Sequence, residues 1–124
     1  MVIEILGRII TKKNNKTIRK NFSTGGRFVG SSDQWLIFEQ EALIQLMRQK
    51  RKIGYFVGKE KLRVSYTFMM KGRLDADTDN MMASCNDLLQ KAGIIEDDKM
   101  IVAGEFCKLH GYKEFKTYLD IREI

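Results

Sequence analysis

Proline is absent from this 124-residue chain, histidine occurs once, and only two cysteines are present. Without proline or any internal repeat, neither a proline-rich linker nor a repeat array divides the chain, and its length fits one domain spanning 1–124. His110 alone offers little to a His-based metal site or a nucleophilic dyad. Cys85 and Cys107 form no CxxC pair, which fits a reducing, cytoplasmic setting better than a disulfide scaffold. No apolar run approaches the roughly 18 residues that a membrane helix needs. The opening MVIEILGRII carries Glu4 and Arg8, so it reads as a strand and not as a signal peptide. Gly25-Gly26-Arg27 lacks the Gly-Lys-Ser/Thr ending of a phosphate-binding loop.

Acidic residues are scarce in the first part of the chain and crowded later. Residues 1–74 hold sixteen Lys/Arg against five Asp/Glu, a balance of +11, whereas residues 75–124 hold six against eleven, a balance of −5. Any single lysine is best read as a solvated surface group. The asymmetry as a whole favours a polyanion partner, because clustered cations gain from counterion release on a phosphate backbone. The acidic half would repel that backbone unless metal ions neutralised it.

Hydropathy patterning gives the order β-α-β-α-β-β. Ile3, Ile5 and Ile9 predict a strand over 2–10. Residues 11–30, with Lys12, Lys13, Lys16, Arg19, Lys20 and three glycines, read as a long basic loop. Ser31 and Gln34 have capping-box spacing and open a helix to about Lys50, with Trp35, Phe38, Ala42 and Leu46 as its apolar stripe. Leu62, Val64, Tyr66, Phe68 and Met70 alternate with polar residues in the clearest strand. A polar turn over 71–79 leads to a second helix over 80–92, with Met81, Cys85, Leu88 and Ala92 on one face and Gly93 as its stop. Two strands over 100–108 and 114–123, joined at His110-Gly111, predict a hairpin. The expected class is α+β, a two-layer sandwich with helices on one face of a mixed or mostly antiparallel sheet.

Seven of the sixteen acidic residues lie between Asp75 and Asp98, six of them in two clusters at either end of that second helix and Asp87 within it. In an extended segment Asp77 and Asp79 present their carboxylates to one side, and Asp97-Asp98 follow the helix. Carboxylate oxygens are the hard ligands that magnesium prefers, and such ions activate water and stabilise a leaving oxygen in phosphodiester cleavage. Capping and turn formation are the competing readings: Asp before a helix is commonly an N-cap, a role Asp79 alone could fill, and Asp-Asp before a strand is commonly a turn.

The stretch KGRLDADTDNMMASCNDLLQKAGIIEDDK, Lys71 to Lys99, resembles the signature region of RusA-type Holliday junction resolvases. The shared features are a D-x-D-N opening (Asp77-Thr78-Asp79-Asn80), a helix with an internal Asp87, Gly93, and the Asp97-Asp98 pair in register. This covers about a quarter of the chain; the remainder agrees only in general layout. The resemblance implies a homodimeric, magnesium-dependent endodeoxyribonuclease that resolves four-way junctions in DNA recombination and repair, with manganese as a substitute ion. Asp77, Asp79 and Asp98 fall on the family's catalytic metal-binding carboxylates and Asp97 on the neighbouring acid. Lys12, Lys13, Lys16, Arg19, Lys20, Lys71 and Arg73 would contact DNA. Neither a membrane nor a small-molecule cofactor is implied.

One position departs from the family: the helical lysine three residues after Asn80 is replaced by Ala83. A cation there would stabilise charge on the phosphate. Lys71, Arg73 and Lys99 are the nearest substitutes by sequence. Geometry poses a second question, because a helix of thirteen residues is about 20 Å long. The segment from Ile94 to Asp98 reaches back roughly 17 Å at most. Either the chain folds back tightly, or the two acidic groups meet across a dimer. Two further readings stay open: a non-catalytic branched-DNA-binding protein of the same fold, and a flap or fork nuclease with the same metal site.

Overall fold

The computed structural model describes residues 2–11, 29–53, 56 and 61–124. Its elements are β1 (Val2–Leu6), α1 (Val29–Ile53), β2 (Leu62–Lys71), α2 (Thr78–Lys91), a short 3-10 turn (Asp98–Met100), β3 (Ile101–Tyr112) and β4 (Lys116–Glu123). The strands form one mixed sheet in the order β1-β4-β2-β3, with both helices on the same face. This is the α+β two-layer sandwich that the patterning predicts.

Alternation places the core. Leu62, Val64, Tyr66, Phe68 and Met70 of β2 are all buried beneath the helices, as are Ile3 and Ile5 of β1 and Leu119 and Ile121 of β4. From above, Ala42 and Leu46 of α1 and Met81, Cys85, Leu88 and Leu89 of α2 close the layer. The predicted stripes are therefore the packed ones, although Trp35 and Phe38 at the start of α1 are only partly buried.

Several boundaries differ from expectation. β1 stops at Leu6, because Gly7 takes a φ of +103° and turns the chain away. α1 begins at Val29, so Ser31 lies inside the helix and is not its cap. Most of the predicted basic loop, residues 12–28, lies outside the described residues.

The largest correction concerns the predicted hairpin. β3 does not pair with β4: it runs parallel to β2, while β4 pairs antiparallel with the opposite edge of β2. Parallel neighbours need a crossover, and α2 supplies it. Residues 113–115 then step past the end of β2. There Gly111 N donates to Gly72 O at 2.9 Å and Gly72 N donates to Tyr112 O at 3.0 Å. His110 is therefore a strand residue and not a turn residue.

Candidate metal centre and nucleic-acid interface

The acidic groups occupy the two ends of α2. At its start, Asp77 is extended (φ −66°, ψ 122°) and its carboxylate accepts from Asn80 N at 3.2 Å. Asp77, not Asp79, is thus the N-cap. Asp79 is exposed in the first helical turn, where the positive end of the helix dipole favours a carboxylate. Asp75 lies just upstream, with Oδ1 2.8 Å from Lys108 Nζ and 3.3 Å from His110 Nε2. The hydrogen bond from Lys108, joined by one from Ala76 N, holds the Asp75 carboxyl down at about 2. Lys108 Nζ also donates to Ala76 O at 3.1 Å, and Arg8 Nη2 donates to Asp75 O at 3.4 Å. The Arg8 guanidinium lies over the Phe115 ring, 5.3 Å from its centroid. Lys108 of β3 and Arg8 of the segment after β1 therefore rim the start of α2, with Lys71 exposed at the end of β2 and Arg73 exposed in the turn that follows.

At the other end, Gly93 takes a φ of +73° and reverses the chain. Asp97 caps the 3-10 turn by accepting from Lys99 N at 3.0 Å, and Asp98 N donates to Gln90 Oε1 at 3.2 Å. The two neighbouring carboxyl groups are pushed in opposite directions. Asp98 is held above the usual carboxylate range by its hydrogen bond to Asp97, by desolvation, and by repulsion from Asp97 and Asp87. Asp97 is held below that range, chiefly by the Lys99 backbone donor. Tyr66 lies beneath, its hydroxyl donating to Asn86 Oδ1 at 2.6 Å. Burial first, then the nearby Cys85, pushes its hydroxyl up to about 12, with Asp98 adding a smaller push.

One chain thus groups Asp75, Asp77 and Asp79 at one end and Asp87, Asp97 and Asp98 towards the other, but it does not unite them. Asp79 and Asp87 are separated by about 12 Å of helix axis, and Asp77 and Gln90 by about 20 Å. Among the described residues, no group of three or more His, Cys, Asp or Glu side chains is placed to hold a metal ion. The chain does not fold back to bring Asp98 to Asp77; it turns at Gly93 and enters β3 beside the last turns of α2.

Lys12, Lys13, Lys16, Arg19 and Lys20 fall outside the described residues. The chain leading into them is nonetheless anchored beside α2, where Ser84 Oγ donates to Ile10 O at 3.3 Å. Ala83 is exposed on the same helix. The side chains around Asp75 that sequence reasoning passed over are Arg8, Lys108 and His110. The signal was available, because Lys108 and His110 at spacing two share one face of a strand. It was obscured by placing His110 in a turn. No protein-family model matches the chain, and no curated protein matches it. No helix among the described residues is long and apolar enough to cross a membrane.

Proposed function

We propose that this protein is a divalent-metal-dependent endonuclease that cuts branched DNA, four-way junctions above all, as a homodimer with catalytic centres shared between two copies. The observation that carries this reading is the division of the acids. Asp77 and Asp79 stand at a cation-rimmed helix start, and Asp97-Asp98 stand side by side at the far end, each group too small alone. Carboxylates crowded together in water repel one another, and a divalent cation relieves that repulsion. A second copy would add its Asp98 to the Asp77 and Asp79 of the first. Bound there, magnesium or manganese would supply an activated water and charge stabilisation at the scissile phosphate. Lys108, with Arg8, Lys71 and Arg73, would hold the phosphate backbone beside the centre and stand in for the cation missing at Ala83. The basic segment from Lys12 to Lys20 would grip the junction arms.

The test is a labelled four-way junction incubated with protein, with and without magnesium, alongside flap and fork substrates. Paired nicks that vanish in Asp79→Asn support the reading. Restored cleavage on mixing Asp77→Asn with Asp98→Asn chains supports shared centres, and failure to complement removes them. A second reading, a non-catalytic branched-DNA-binding protein, is favoured by the exposed Ala83 and the separation of the acids within one chain. A gel shift with no cleavage in any metal would establish it.

A further inference from the structure

The two edges of the sheet are treated very differently. On β1, the backbone groups pointing away from β4 are those of Glu4 and Leu6, and both residues are capped by α1. Gln49 Oε1 accepts from Glu4 N at 2.8 Å while its Nε2 donates to Glu4 O at 2.7 Å. Gln45 repeats the pattern on Leu6, at 2.7 and 3.1 Å. Among the described residues, nothing comparable covers the outer edge of β3, the terminal strand on the other side. That edge also carries apolar side chains in water: Val102 and Phe106 are each 55% exposed and Leu109 is 40% exposed. An uncapped edge flanked by exposed apolar groups is a template for another strand.

We infer that the outer edge of β3 is an isologous interface, on which β3 of a second copy pairs antiparallel about a twofold axis at Phe106. The register follows from three constraints. First, the pairing of β3 with β2 is regular from Ala103 to Leu109 and shifts on either side, so bulges bound the usable edge. Second, antiparallel partners directly opposite share a sheet face, so a twofold pairing centres on a residue. Third, centring on Glu105 or Lys108 would set like charges against each other. Centring on Phe106 uses the whole regular run: Ala103 opposes Leu109, Gly104 opposes Lys108, and Glu105 opposes Cys107. Centring on Cys107 would push Ala103 against the bulge at Gly111. With the axis at Phe106, the two exposed phenyl rings meet on the helix-facing side, where Phe106 is in register with Tyr66. Gly104 leaves room opposite the Lys108 stem. Its own place is fixed, because a Cβ there would come within 1.9 Å of Val64 O.

The choice of the β3 edge stands on the uncapped strand, and it deepens the proposed function, on whose homodimer it rests, by naming the contact. Antiparallel pairing sets the start of one β3, preceded by Asp98, beside the end of the other, where Lys108 and His110 meet Asp75.

The test reads mass and cross-links, not cleavage: a monomer would remove the interface and the shared-centre nuclease together, whereas a dimer held by another surface or in another register would remove the interface alone. Sedimentation of the full chain is expected to give twice 14.4 kDa. Phe106→Lys, with unchanged far-UV circular dichroism, is expected to weaken the dimer about tenfold or more. Mild oxidation of Glu105→Cys is expected to give a covalent dimer through Cys107 of the other copy, abolished by adding Cys107→Ser, while the wild-type chain stays uncross-linked. A monomer at all accessible concentrations overturns the inference. So does a dimer indifferent to Phe106→Lys, which would point to the exposed Leu36, Ile37, Ile44 and Met47 of α1. Cross-linking of the wild-type chain through Cys107 overturns the register.

Discussion

Asp77 can serve two purposes, and substitution can separate them. As an N-cap its carboxylate satisfies Asn80 N, so Asp77→Ala is expected to lose about 1 kcal/mol of stability in urea unfolding. Asn is as good a cap, so Asp77→Asn should keep that stability while abolishing metal-dependent cleavage. If Asp77→Asn cuts junctions normally, the residue is only a cap. Asp75 offers a pH test. Its carboxyl lies at about 2 in the fold against an ordinary 3.8, chiefly through the Lys108 hydrogen bond. A depressed folded pKa contributes stability above the ordinary value and loses it as pH falls towards 2. Lys108→Met should therefore raise the Asp75 pKa in a carbonyl NMR titration and shrink the acid dependence of stability between pH 4 and 2. An Asp75 titration unchanged in Lys108→Met would show that the pair does not hold the carboxylate.

Among the elements, those with a local signal were legible and those set by distant pairing were not. The i, i+4, i+7 spacing of Met81, Cys85 and Leu88 and the stop at Gly93 fixed α2 to within two residues, and alternation fixed β2. Nothing local distinguishes β3 as a parallel strand from half of a hairpin, because the partner of β3 is chosen by the α2 crossover. The division of the candidate site is legible for a related reason: a helix of known rise separates its ends whatever surrounds it. The shared strand face of Lys108 and His110 was legible from their spacing, but not that Lys108 and Arg8 reach Asp75, since the sheet order alone brings them there. The glutamine pair on β1 was equally hidden, and it supplies an element-scale prediction. Gln49→Leu strands the half-buried Glu4 N and O and should cost about 1–3 kcal/mol in denaturant unfolding. Gln45→Leu should cost less, because water can replace the amide at the exposed Leu6. Equal, negligible losses would mean that the edge needs no cover.

For the molecule as a whole, the packed layer under α2 sets an alkaline limit. Burial pushes the Cys85 thiol up from 9.0 to about 12 and the Tyr66 hydroxyl up from 10.0 to about 12. Both groups are neutral when their proton is on. Raised folded pKa values make their contribution complete below pH 9 and progressively lost as pH climbs towards 12. Circular dichroism against pH should show unfolding in that window. At pH 8 a thiol reagent should modify the exposed Cys107 but reach Cys85 only after denaturation. Rapid native labelling of both thiols would contradict this packing. The strand order has a further bearing on how such a layer comes into being. β1 enters the sheet only through β4. On the ribosome, Ile3 and Ile5 must therefore wait for partners encoded near the other end of the chain. A nascent polypeptide halted before Lys116 would leave its earliest strand unclaimed and β2 bare along one side, an open invitation to chaperones or to other unfinished copies.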